Sequence, residues 1–212
     1  MTLHRRLILT TTFAVLASST LTACFPLVAT GMITGALVAA DRRTSGIVLE
    51  DNNSGFRIGN RISAKYGADA HVNVHSFNRI VLLTGEVHSE EIRKGVEEIA
   101  QGAENVRSVV NEVVVGPISA LADRAGDSLL AQKIRTRYIG DGHFPANIVA
   151  TVVERKEVFL MGMVTPQEAE DITRIASTTS GVDRVVKVFE YIDPASIKPP
   201  SAPVKDSSPA AR

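Results

Sequence analysis

Two stretches decide the fold: Arg79-Ile80-Val81-Leu82-Leu83-Thr84-Gly85-Glu86-Val87 and Lys156-Glu157-Val158-Phe159-Leu160-Met161-Gly162-Met163-Val164. Each is a short β-branched and apolar run that opens on a basic residue and carries a glycine two residues before a closing valine. Gly85 and Gly162 stand 77 residues apart. Downstream, Asn105-Val106-Arg107-Ser108-Val109-Val110 repeats as Gly181-Val182-Asp183-Arg184-Val185-Val186 at an offset of 76, so one residue has been gained or lost in between. A repeat of this length means that one supersecondary unit is used twice. The copies span about residues 55–115 and 125–193.

The second copy is the easier to read. Leu130, Ile134 and Tyr138 share one face of a helix expected over 127–139, with Asp127 or Ser128 as its cap and Gly140 and Gly142 as its stop. Residues 148–153 and 157–164 read as strands joined by a tight turn at Glu154-Arg155-Lys156. Thr165-Pro166-Gln167-Glu168 is a helix start, with threonine at the cap, proline at the first position and glutamate at the third. Ile172, Ile175 and Ala176 give that helix its buried stripe, Ser180-Gly181 stops it, and residues 182–191 alternate as a last strand. The first copy repeats the order, with a weaker opening helix at about 58–66, strands at 70–76, 80–87 and 108–115, and a second helix at about 89–101. The expected fold is α+β: two tandem modules, each α-β-β-α-β. Each has a small three-stranded mixed sheet, a hairpin plus a parallel third strand, with two helices on one face.

Outside the repeat, the N-terminus has the layout of a secretory signal. Arg5 and Arg6 precede an apolar run from Leu7 to Ala17, and Leu21-Thr22-Ala23-Cys24 ends it. Cys24 is the chain's single cysteine. A secreted protein more often keeps paired cysteines. A spanning helix needs about 20 apolar residues, and residues 7–23 are broken by Thr10, Thr11, Thr12, Ser18 and Ser19. The segment resembles a bacterial lipobox, which implies a signal peptide over 1–23 and diacylglycerol, with further acyl chains such as palmitate, on Cys24. Several chains on one residue give stable anchoring where one gives marginal anchoring. Phe25 follows the cysteine. The absence of aspartate there resembles lipoproteins of the outer membrane that face the periplasm.

Residues 24–54 are expected to be the lipidated start and a linker, apolar to residue 40 and turn-rich at Asp51-Asn52-Asn53-Ser54. Residues 194–212 hold five of the nine prolines and are expected to be a disordered tail. The chain has 23 basic and 23 acidic residues; loss of Arg5 and Arg6 with the signal leaves a net charge of −2. That balance excludes a globally basic nucleic-acid binder.

The glycine after the apolar strand and the later Gly-Val-x-x-Val pattern at Gly181 to Val185 resemble the BON domain, a module of bacterial periplasmic and membrane-associated proteins. Asn105 replaces that glycine in the first copy, and asparagine is the next-best residue for a left-handed turn. With the lipobox, the chain resembles dual-BON outer-membrane lipoproteins. The resemblance implies binding of anionic phospholipid, support of envelope integrity and recruitment to cell division sites.

It also implies that the lipid surface is the first helix of the second module, here Ser128 to Ile139. Leu129, Thr136 and Ile139 lie opposite the core stripe, Lys133, Arg135 and Arg137 flank them, and no acid occurs from Ser128 to Gly140. Exposed apolar residues bordered by cations suit an anionic interface, where each cation contributes on the order of 1 kcal/mol. The family has an aromatic residue near the position of Leu129; Tyr138 would supply one if it turned outward. The competing reading is an adaptor that docks an outer-membrane assembly or division protein through an exposed strand edge, with lipid only as tether.

No catalytic constellation emerges, so a binding module is expected rather than an enzyme, with no cofactor and no metal. His71 and His75 have metal-like spacing, but four strand residues span about 13 Å, and both are expected on a solvated face. His88 and His143 have no partner at meaningful spacing, and Glu90-Glu91 and Glu97-Glu98 read as surface helix positions. Gly31 and Gly35 lack the lysine and hydroxyl of a phosphate loop.

Overall fold

The computed structural model describes residues 41–197. The signal segment, Cys24, residues 25–40 and most of the proline-rich tail lie outside those residues. The elements are α1 (Ser45–Tyr66), β1 (Ala70–Phe77), β2 (Ile80–Val87), α2 (Glu90–Gln101), β3 (Ser108–Asn111), β4 (Val114–Val115), α3 (Leu121–Asp141), β5 (Val149–Glu154), β6 (Glu157–Val164), α4 (Pro166–Ser177) and β7 (Arg184–Tyr191). The α-β-β-α-β order appears twice. In each copy the hairpin is antiparallel and the strand after the second helix pairs parallel with the hairpin's second strand.

Two-residue turns close the hairpins. Asn78 and Arg79 have φ of 50° and 65°, and Arg155 and Lys156 have 51° and 61°. Two consecutive left-handed residues match the twist of a hairpin, but neither pair is the usual Asn-Gly. A buried aspartate on each first helix holds the strained turn. Asp51 accepts from the backbone N–H of Asn78 (2.7 Å) and Arg79 (2.8 Å). Asp127 accepts from Arg155 (2.7 Å) and Lys156 (2.9 Å).

This clamp corrects two expectations. Asp127 is not a helix cap: α3 starts six residues earlier and Asp127 lies buried within it. Residues 45–54 are not linker, because α1 begins at Ser45 with Thr44 as its cap. The buried positions of that first stretch are Asp51 and Ser54, so no apolar stripe announces it. Residues 41–44 are also fixed. Arg42 donates to Glu168 at 2.6 and 2.8 Å and to the Met163 carbonyl at 2.7 Å. Arg43 binds Asp41 and Asp51 and stacks over Phe77. In the tail, Pro194–Ser196 form a turn of 3-10 helix capped by Asp193.

The first sheet has four strand segments where three are expected, because the third strand is interrupted at Glu112 and Val113. Gly85 sits beside the gap with φ of 114°, and Val113 donates its N–H to the Asn111 side chain at 3.2 Å instead of to β2. Gly162 has no such φ, and β7 pairs with β6 without a break from Glu157↔Arg184 to Val164↔Tyr191.

Each module has its own core. Ile58, Ile62, Val81, Leu83, Val87 and Val96 fill the first; Ile134, Tyr138, Val158, Leu160, Ile172 and Ala176 fill the second. A third cluster joins them: Phe77 and Leu82 from the first sheet meet Phe159 and Met161 from the second. The helices cover one face of each sheet, and the two remaining faces bury each other. The layers therefore run helices, sheet, sheet, helices. Burial on both faces explains why β2 and β6 read as nearly continuous apolar runs.

His71 and His75 belong to that sheet-to-sheet layer rather than to a solvated face. In register they stand opposite Glu86 and Leu82. Burial holds the His75 imidazole below its ordinary value of 6.5.

Candidate functional site

The face of α3 turned away from the core is apolar and free of acids. Leu129 and Ile139 are each 72 % exposed, and Leu121, which the expected helix omitted, is 76 % exposed. On a helix of 3.6 residues per turn they share this face with Ala122, Ala125, Gln132 and Thr136. Three exposed large side chains in 19 residues of one helix form a patch rather than isolated surface leucines.

The three flanking cations do different things. Arg135 is exposed and makes no salt bridge among the described residues. Lys133 donates to the Ser180 carbonyl at 2.9 Å. Arg137 donates to the Ile175 carbonyl at 2.7 Å, to Thr179 Oγ1 at 2.6 Å and to Thr178 Oγ1 at 3.1 Å. It therefore closes the C-terminal end of α4, where carbonyls lack helical donors. Thr136 returns its hydroxyl to the Gln132 carbonyl at 3.0 Å. Tyr138 does not turn outward. It is fully buried, packs edge-on against Phe144 at 5.4 Å, and burial pushes its phenol up to about 12.

A groove of about 790 Å³ runs along the same helix, walled by Pro117, Ala122, Leu129, Leu130 and Gly181 with Lys133 at its side. The corresponding helix of the first module exposes Leu49 (62 %) and Phe56 (72 %). Asn52, Asn53 and Asn60 surround them, and the nearby Arg57 is paired with Glu50 at 2.8 Å. The two modules share a fold but present different chemistry on the same helix.

Among the described residues no helix is long and apolar enough to cross a membrane. Residues 56–117 and 126–193 each match the BON domain model. The chain belongs to the BON-domain family. It is 36 % identical over 172 residues to the outer membrane lipoprotein DolP of Haemophilus influenzae, covering 80 % of this chain and 89 % of that one. It is 28 % identical over 154 residues to a 21 kDa hemolysin of Actinobacillus pleuropneumoniae, covering 72 % and 79 %. Two BON modules and the extent of the first similarity make it a dual BON-domain lipoprotein of the DolP type. Among solved structures it is similar to CdsD, a structural protein of the type III secretion system of Chlamydia trachomatis, at 11 % identity and a TM-score of 0.28 over 65 % of this chain and 91 % of that one.

Proposed function

We propose that this protein is anchored in the outer membrane through lipidated Cys24, faces the periplasm, and binds anionic phospholipid with the outer face of α3. Envelope integrity, at division sites among others, is the cellular role that this contact serves. The observation that carries the reading is the acid-free face of Leu121, Leu129 and Ile139 beside Arg135, which is exposed and makes no salt bridge among the described residues. Apolar side chains enter the acyl boundary while cations meet phosphates, and neither alone gives selective binding. The groove along Leu129 and Leu130 offers an acyl chain further apolar wall. The similarity to a protein named as an outer membrane lipoprotein supports the compartment. The work of this surface is binding, not catalysis.

The test is co-sedimentation of residues 41–212, which contain all three cores and lack the anchor, with vesicles of anionic or neutral phospholipid. Binding to anionic vesicles alone, lost in Leu129→Asp and Ile139→Asp, supports the reading. Failure to bind either vesicle sinks it and leaves the adaptor role, with lipid only as tether, as the better account.

A further inference from the structure

A different set of side chains converges where the two modules meet. His71 on β1 faces Glu86 on β2 across the hairpin, with Nδ1 3.1 Å from Glu86 Oε2. Glu154, at the end of β5 in the other module, approaches from the opposite sheet and accepts from Asn73 Nδ2 at 2.8 Å and Thr84 Oγ1 at 3.4 Å. One ligand atom from each of His71, Glu86 and Glu154 lies within 4.8 Å of the other two.

Both carboxylates are buried, Glu86 at 2 % and Glu154 at 5 % exposure. Glu86 Oε2 is well supplied, by His71 and by the Ser119 N–H and hydroxyl at 3.3 and 3.1 Å. Glu86 Oε1 has no partner among the described residues. Among the described residues no arginine or lysine pairs with either carboxylate, and His71 is the basic group beside Glu86. Two buried, mutually repelling carboxylates require a compensating cation or a proton.

We propose that His71, Glu86 and Glu154 form a divalent-cation site, suited to zinc, that ties the first module to the second. One imidazole and two carboxylates are ligands zinc accepts at about 2.0–2.2 Å. Ligands of a tetrahedral ion stand about 3.4 Å apart; His71 Nδ1 and Glu86 Oε2, at 3.1 Å, are already near that separation, and Glu154 lies within 4.8 Å of both. A fourth position remains for water or the Ser119 hydroxyl. Glu86 also lines the groove beside α3, whose wall carries both acids (Asp123, Asp127, Asp183) and cations (Lys133, Arg155, Lys156). That gives the ion an entry path. His71 and Glu86 come from one sheet and Glu154 from the other, so the ion cross-links the sandwich. Glu154 immediately precedes the Arg155-Lys156 turn that Asp127 of α3 clamps, which couples the site to the helix proposed to meet the membrane.

The experiment is calorimetric titration of zinc into full-length, tag-free, chelator-stripped protein in detergent, with magnesium and calcium as controls. The expected result is one saturable zinc site at micromolar or tighter affinity. It should weaken at least about tenfold in His71→Asn and in Glu154→Gln, each checked for a wild-type circular dichroism spectrum. Zinc K-edge absorption on the wild type needs no variant: a nitrogen and oxygen shell with one imidazole supports the site. Absence of saturable binding, binding unchanged in both variants, or a shell with two imidazoles or with sulfur overturns it.

Discussion

Arg135 and Arg137 are two residues apart on α3 and identical in charge, yet the structure gives them separate jobs. Reversing each to glutamate should divide stability from membrane binding. Arg137 makes three hydrogen bonds to the end of α4, two of them at 2.7 Å or shorter. A hydrogen bond to a charged group contributes roughly 1.5–3 kcal/mol when shielded. The bond to Thr178 is exposed and adds less. A glutamate there would also oppose the α4 dipole by about 0.5 kcal/mol. At the low end of that range for the two part-buried bonds, the loss comes to about 3.5–4 kcal/mol, or about 7–16 °C in Tm for a protein of this size. Arg135 contacts no acid among the described residues, so Arg135→Glu should change stability by no more than about 0.5 kcal/mol. At an anionic membrane, however, it changes the charge by two units. At about 1 kcal/mol per unit, vesicle affinity should fall roughly 30-fold, and less at high salt. Thermal melts and vesicle titrations of both variants measure this. If Arg135→Glu lowers Tm as far as Arg137→Glu, or Arg137→Glu keeps its Tm and loses only vesicle binding, the assignment of roles is wrong. A reversal of all three cations together would mix the two effects.

Asp127→Ala should cost about 3 kcal/mol, because it strips acceptors from two N–H groups in a left-handed turn. Urea midpoints should rank wild type, Asp127→Asn and Asp127→Ala in that order. Gly85→Ala should disrupt the first sheet, since a Cβ at Gly85 would lie 2.0 Å from the His71 carbonyl oxygen and its φ is 114°; hydrogen exchange should show lost protection in β1 and β2. Burial alone would raise Glu168, but hydrogen bonds from Arg42 and the Thr165 N–H outweigh it and hold the carboxyl below its ordinary 4.5. The folded state then binds fewer protons, so this stabilisation is full above the ordinary value and is lost as pH falls through the folded one. Arg42→Ala should therefore cost about 2 kcal/mol at neutral pH, and the gap from wild type should narrow in melts taken below pH 4.5.

The order of elements was legible because it rests on local physics: the repeated strand with its glycine, the capping box at Thr165, the apolar stripe of Ile172 and Ile175. Helix starts were not legible where a helix buries polar groups. Asp51 and Asp127 look like turn or cap residues in one dimension. Their purpose appears only when a hairpin 27 residues away brings its N–H groups to them. The early start of α3 is what adds Leu121 to the exposed face, and its helical neighbours Ala122 and Ala125 were the available signal. His71 and Glu86 could have been paired from the hairpin register alone. Glu154 could not, because it arrives through packing between modules.

That packing also explains why the unit occurs twice. A BON module with both helices on one sheet face leaves the other face bare. Here that face carries Phe77 and Leu82 in one copy and Phe159 and Met161 in the other, all nearly inaccessible once joined. Alone, each module would present those side chains to water, at about 25 cal/mol for every Å² of apolar area. Pairing removes the liability and frees the helical faces to diverge, since neither is needed to cover a sheet edge-on partner. The first module keeps asparagines around Leu49 and Phe56, while the second sets Leu121, Leu129 and Ile139 beside Arg135. One copy can therefore serve as the other's sheet partner, and the exposed helix of the second is left to carry the binding chemistry.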